Sequence, residues 1–328
     1  RTVIQEGVDR KSLSRGYDRV FNWLKKDNRY AGLVIGCVQA TLKSPFTSRV
    51  LYQAFATEMK VRDQEKRPLG KALLKLGSGV ADYAEVFRDL AGAAVLFSIA
   101  RGAVKTARNI LVEKIFGLSW EQCGRYPTVI LKEKRDYFKK AITAPLKITL
   151  DSSPEMERMY AVKIRAPAKV IFEELGKFGE ANAKFLKLRF MEVKRVSGAP
   201  NEVGSVVRYR LRRTPVSMDI RLEKRAGERT LLYKPEELFS RNGNLIFDID
   251  RTADGNNRLV VYTGFDYKKG KKFFGRLFWK FFRTVFPDYA HDVVWNHAIC
   301  RIKREAEDRA VLIDQEQGLV RQAVQDSR

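Results

Sequence analysis

Histidine and cysteine are scarce in this chain, with two of the former and three of the latter in 328 residues. Cys37, Cys123 and Cys300 are far apart, odd in number and in no C-x-x-C arrangement, so neither a disulfide framework nor a zinc site is expected, and a reducing compartment follows. His291 and His297 fall on different faces of one helix and cannot share a metal from there; His291 is expected to line the interior and His297 to be exposed. Also missing are a P-loop, a G-x-G-x-x-G after a strand, an H-E-x-x-H and a G-x-S-x-G elbow. These absences argue against an NTPase, a self-contained dinucleotide enzyme, a zinc protease and an α/β hydrolase. Gly77-x-Gly79 follows Leu76 in a helical context, not a strand. No apolar run reaches the ~18 to 20 residues needed to span hydrocarbon, since Leu90 to Ala100 is closed by Arg101. No signal peptide is read at the start, and an opening Arg1 rather than Met reads as a processed product or a piece of something longer.

Positive charge is abundant. A net +24 with pI near 10.0 calls for a polyanionic partner, either an anionic bilayer or a nucleic acid. The surroundings of the cations favour the bilayer. From Tyr267 to Pro287 there are seven Lys or Arg and no acid, interleaved with consecutive Phe pairs that no stack of bases needs. At 100° per residue Phe274, Leu277, Phe278, Phe281, Phe282 and Val285 spread over one broad side, opposite Arg276, Lys280 and Arg283. Lys271, Lys272, Phe274, Arg276, Phe278, Trp279, Lys280 and Phe282 are therefore the expected membrane contacts. The alternative is that these rings pack against another domain and the lysines are solvated.

Residues 1–154 read as a basic helical domain, with helix starts at Ser44-Pro45 and Arg67-Pro68, a break at Gly77-Ser78-Gly79 and a linker at Asp151-Ser152-Ser153-Pro154. Arg101, Lys105, Arg108 and Lys114 make a basic stripe beside Leu96, Phe97, Ile99 and Ala100, either a solvated edge of a bundle helix or a second interfacial helix. From Glu155 the period changes to two. A strand at Tyr160 to Ile164 feeds Pro167 and a helix, a second short helix is expected over Gly179 to Leu186, and about six antiparallel strands follow. Val207, Tyr209 and Leu211, then Met218, Ile220 and Leu222, alternate with polar residues, giving one wet and one dry face. Hairpin turns are expected at Ser197-Gly198, Ala226-Gly227, Asn242-Gly243 and Asp254-Gly255. Pro287 precedes a long helix with the inward stripe His291, Trp295, Ala298, Ile299, Ile302 and Ala306. The fold class is α+β: a helical domain over 1–154, a curved antiparallel sheet wrapped on a long helix over 155–310, and a helical extension or tail over 311–328.

This order, with the opening Tyr160-Ala-Val-Lys-Ile-Arg-Ala-Pro-Ala-Lys-Val-Ile-Phe and the closing Ala298-Ile-Cys-Arg-Ile-Lys-Arg-Glu-Ala-Glu, resembles the START-like superfamily, the helix-grip fold that includes polyketide cyclases/dehydrases and lipid-transfer proteins. The resemblance implies a hydrophobic cavity between sheet and C-terminal helix for an apolar small molecule or lipid. Tyr209, Met218, Phe247 and Trp295, at inward positions, and His291 are the expected lining. A solid core built from the same side chains is the alternative. An enzymatic reading, a cyclase-type catalyst on a polyketide-like substrate, would use His291 with Tyr209 as acid and base. Leu51-Tyr-Gln-Ala-Phe-Ala-Thr-Glu and Arg67-Pro-Leu-Gly-Lys-Ala-Leu-Leu-Lys-Leu-Gly-Ser-Gly are similar to the helical C-terminal region of geranylgeranyl-reductase-like flavin-dependent oxidoreductases, which act on polyprenyl substrates. The glycine-rich strand and helix that hold FAD in that family are missing, so no cofactor is expected here unless an upstream domain supplies FAD. The expectation is a cytoplasmic protein associated peripherally with membrane.

Overall fold

The computed structural model describes residues 10–59, 61, 63, 66–78, 81–124, 128–150, 154–185, 188–189, 191–212, 217–236, 240–267 and 288–326. The chain divides into two compact units, Arg1–Leu111 and Val112–Arg328.

In the first unit lie α1 (Arg10–Lys43), α2 (Pro45–Glu58), α3 (Pro68–Ser78), α4 (Tyr83–Leu90) and most of α5 (Ala93–Phe116). Proline sets two of the starts as expected: Pro45 follows the N-cap Ser44, whose hydroxyl accepts from the Thr47 amide, and Pro68 opens α3. Glu58, buried at the end of α2, accepts from the Leu69 and Gly70 amides of α3, so its carboxylate meets two otherwise unpaired donors at a helix N-terminus. The core is small, with Ala54, Leu69 and Val95 at its centre. Gly79 and the linker residues Asp151, Ser152 and Ser153 lie outside the described residues.

The second unit is a seven-stranded antiparallel sheet in the order β1-β7-β6-β5-β4-β3-β2. The strands are β1 (Met156–Ile164), β2 (Met191–Ser197), β3 (Val206–Leu211), β4 (Ser217–Ala226), β5 (Thr230–Pro235), β6 (Ser240–Arg251) and β7 (Asn257–Tyr267). Between β1 and β2 sits α7 (Ala168–Gly176), and the unit ends in α8 (Asp288–Asp326), which continues through the segment read as a separate extension. One face of the sheet packs with α7 and α8 in the main core, where Val207, Ile220, Leu222, Leu231, Phe247, Val261, Ala298, Ile299 and Ile302 meet. This is the α+β, helix-grip-like architecture the period change implies.

Four expectations are corrected here. The sheet is not wet on its whole second face: α6 (Lys132–Thr143) and the chain on either side of it bring Ile130, Ile142 and Leu146 against Met159, Leu232, Ile246, Val260 and Tyr262. Double burial is why β5 and β7 carry unbroken apolar runs instead of alternating. No helix forms over the described part of Gly179 to Leu186, because Gly179 takes φ +88° and its carbonyl accepts from the Arg195 amide, holding the segment as turns against β2. Asn242-Gly243 is a bulge inside β6, with a register shift between Arg241 and Asn244 and Asn242 at φ +53°, rather than a hairpin turn. Cys123 and Cys300 form a disulfide, their Cα atoms 5.2 Å apart across a sequence separation of 177. Distance along the chain had argued against pairing, but the fold lays the segment before β1 along α8. An inference to a reducing compartment loses its ground with that bond.

Candidate functional site

The interior between sheet and α8 is lined with aromatic rings. Phe178, just after α7, has ring centroids 5.9 Å from Tyr209, 5.3 Å from Tyr233 and 6.1 Å from Phe247. Phe247 lies 5.9 Å from Trp295, which stacks on Tyr160 at 6.3 Å. The edge-to-face arrangements place positive ring edges on negative faces, which favours a compact cluster. Two open clefts lie elsewhere. One of about 440 Å³ is bounded by Asp219, Arg221, Lys234 and Glu236 on the charged outer face, and one of about 310 Å³ lies in the helical unit beside Glu58. In the grip itself the described rings of Phe178, Tyr209, Tyr233, Phe247 and Trp295 form one chain of contacts.

The register shows which residues share an end. β3, β5 and β7 all run toward the end where α8 begins, and β1, β2, β4 and β6 start from it. Tyr209 and Met218 are direct partners there on β3 and β4, both half-buried, and His291 stands there on the first turn of α8 against Phe265 at 5.8 Å. Phe247 and Trp295 lie deeper, at 1% and 8% exposure. Tyr209, Met218, Phe247 and Trp295 thus belong to one core, and His291 stands beside Phe265 at the end where α8 begins. Lys271, Lys272, Phe274, Arg276, Phe278, Trp279, Lys280 and Phe282 lie outside the described residues.

A polar group that sequence reasoning missed lies at the same end. The Tyr160 hydroxyl donates to Asp292 Oδ1 at 2.9 Å, Arg158 Nε lies 3.1 Å from the same oxygen, and Arg158 also pairs with Asp288. Burial raises the Asp292 carboxyl above the usual range, against the opposing pull of Arg158 and the Tyr160 hydrogen bond. Burial, then Asp292, raises the Tyr160 phenol well above its usual value. Arg158 sits two residues before Tyr160 on the inward side of β1, so the alternation that placed Tyr160 held the signal; Asp292, reached across from α8, had none.

Tyr233 is the second residue missed. It is 1% exposed, and its hydroxyl has no hydrogen-bond partner among the described residues. Burial raises its phenol, and that of Tyr209, above the usual range. An isolated buried hydroxyl costs about 1 to 3 kcal/mol, so Tyr233→Phe is expected to raise the midpoint of urea unfolding for the ligand-free protein, while a lowered midpoint would reveal a partner.

The acid–base pairing expected of His291 and Tyr209 is not assembled among the described residues: Tyr209 contacts Phe178, and His291 contacts Phe265 on β7, four places from β3 in the sheet. Burial lowers the His291 imidazole from 6.5 to about 4, with Asp288 opposing the shift and Arg158 adding to it. A base depressed in the folded state stays neutral while the unfolded chain takes up a proton, so stability falls as pH drops from 6.5 toward 4. The side chain is half-buried, which holds the loss below the about 3 kcal/mol of a full displacement. His291→Gln should flatten that window in urea titrations at a series of pH values; an unchanged slope would refute the neutral state of the folded imidazole.

His297 is not exposed as expected. It is 9% exposed, with Nδ1 2.5 Å from Glu121 Oε1. Glu121 also pairs with Arg304 at 2.8 Å, its carbonyl accepts from Asn296 Nδ2 at 3.0 Å, and Thr128 donates to Asn296 Oδ1 at 2.9 Å. Together with Cys123–Cys300, these bonds strap residues 121–124 and Thr128 along the back of α8, a face invisible to a helical wheel that assumes one core.

Among the described residues no group of His, Cys, Asp or Glu is arranged to hold a metal ion. The chain matches no protein-family profile and no curated protein. Among solved structures it is similar to KanY protein, at 14% identity over 46% of this chain and 97% of the other with a TM-score of 0.36. It is also similar to a protein from Thermobifida fusca (18%, 45% and 94%, TM-score 0.34) and to major latex-like protein 151 from Panax ginseng (15%, 42% and 97%, TM-score 0.28). The fold assignment rests on strand order and helix packing.

Proposed function

We propose that the protein binds an apolar small molecule or lipid between sheet and α8, at an anionic membrane surface. The orphaned Tyr233 hydroxyl carries this reading: within a mostly apolar, ring-lined interior it offers a donor that no described residue answers. A ligand with an apolar body and one carbonyl or hydroxyl oxygen would satisfy it. Entry would be at the half-buried Tyr209–Met218 pair, with rings moving aside, since Phe178 contacts Tyr209, Tyr233 and Phe247. Support for the membrane comes from the net +24 and from the cationic, Phe-rich run of sequence between Tyr267, the last residue of β7, and Asp288, the first of α8.

The test is uptake of 1-N-phenylnaphthylamine, followed by fluorescence, with native mass spectrometry for any co-purified apolar molecule. Met218→Trp is expected to block uptake while the thermal unfolding midpoint stays near wild type. If wild type takes up no probe and Met218→Trp loses about 1 to 3 kcal/mol of stability, the interior is a solid core and the binding reading fails.

A further inference from the structure

The N-terminal unit is built inside out. Among the described residues up to Leu111, 17 large apolar side chains are exposed, against seven buried hydrophobic residues, two of them alanine. In water the proportions run the other way.

The reversal is clearest on α5. Leu96, Phe97, Val104 and Leu111 are 56%, 64%, 72% and 58% exposed and recur at helical spacing along one side. The buried side carries Gly102, Thr106 and Asn109. A Cβ on Gly102 would lie 2.5 Å from the Val50 carbonyl oxygen, so α2 and α5 cross with backbones nearly touching. Flanking that crossing, Ser98 donates to Glu58 and Lys105 to Thr57 at 2.7 Å. Small residues and side-chain hydrogen bonds inside, with apolar side chains outside, is the arrangement favoured by an apolar surround. The first half of α1 repeats the theme, with Leu13, Tyr17, Val20, Phe21 and Leu24 exposed along one face and Arg15, Arg19 and Lys26 on the other.

Charge selects the occupant. Residues 1–111 hold 20 Lys and Arg against ten Asp and Glu, and exposed Arg101 and Arg108 edge the α5 stripe with no acid between Ala93 and Leu111. A second copy would bring like charges together, whereas anionic headgroups would receive them. Among the described residues no single helix is long and apolar enough to cross a membrane, and α4 with α5 passes only as a pair bent by 54°. We propose that the outward faces of α5 and α1 insert into the boundary between headgroups and acyl chains of an anionic bilayer, lying in the membrane plane. This deepens the membrane half of the proposed function and rests on that half alone, independent of any ligand in the grip.

The experiment is flotation of the full chain with phosphatidylglycerol–phosphatidylcholine vesicles, at low salt and at about 0.5 M salt, where exposed charges are screened. Wild type should keep a salt-resistant bound fraction. The triple variant L96E/V104E/L111E should lose about 100-fold in partitioning at high salt, from the lost apolar contact. Because that variant could fold poorly, Val104→Cys in a Cys37→Ser background, labelled with a nitrobenzoxadiazole fluorophore, gives a second readout: its emission should shift to the blue and brighten on vesicles. Wild type and triple variant floating equally, with an unchanged label, would overturn the inference while leaving membrane binding intact. Wild type floating on no vesicle would overturn both. A wild-type dimer by light scattering that the triple variant renders monomeric, with vesicle binding unaltered, would assign the face to a second copy instead.

Discussion

Removing the Cys123–Cys300 disulfide is expected to destabilise the sheet-containing unit by up to about 5 kcal/mol, the loop-closure entropy returned to the unfolded chain by opening a loop of 177 residues. The bond joins the segment before β1 to the buried middle of α8, and Cys300 is 0% exposed. Its effect in the folded state is to hold the strap whose other ties are Glu121 to His297 and Thr128 to Asn296. Cys123→Ser with Cys300→Ser should therefore lower the urea midpoint markedly, and the freed strap should gain amide exchange along residues 121–124. Thiol titration of the denatured, unreduced protein provides an independent check, since Cys37 is the one cysteine outside the bond. One thiol per chain is expected before reduction and three after it. Three before reduction would show the bond to be absent.

Gly102→Leu should unfold the helical unit while sparing the sheet. Even the alanine Cβ would stand 2.5 Å from the Val50 carbonyl oxygen and 2.9 Å from the Ala54 amide nitrogen, and both are backbone atoms that no rotamer change can move. Overpacking of this kind costs about 1 to 3 kcal/mol for one added carbon, partly offset by the about 1 kcal/mol that alanine gains over glycine in a helix. A leucine has no such compromise, because its whole side chain must fit between two helices already in contact. Limited proteolysis followed by mass mapping should show cuts within residues 45–111 for Gly102→Leu and an intact sheet. A variant as resistant as wild type would mean that the two helices do not cross there.

The chemistry of each local decision was legible. Ser44-Pro45 and Arg67-Pro68 started helices because proline fixes φ and needs no donor at a first turn, and the shift to period two at Glu155 announced the sheet. Inward residues on β3, β4 and α8 followed from alternation and from the 3.6-residue stripe, which is why Tyr209, Met218, Phe247 and Trp295 meet one interior. Pairing between distant segments was not legible. Asn242-Gly243 has the composition of a hairpin turn, yet the strands on either side continue as β6, since pairing with β7 on one edge outweighs a local turn preference.

What the sequence by itself determined is the α+β class, the helix starts, the strand alternation and the excess of positive charge, all set by neighbours within a few residues. Only the tertiary structure decided that Cys123 meets Cys300, that His297 is buried on Glu121, that Asp292 reaches Tyr160 and Arg158, and that the outer face of β5 to β7 is covered. Each of these joins groups far apart in the chain. Such contacts depend on how an element is rotated and what covers it, and periodicity can say that a face is apolar without saying which partner hides it, or, for α5, that none among the described residues does.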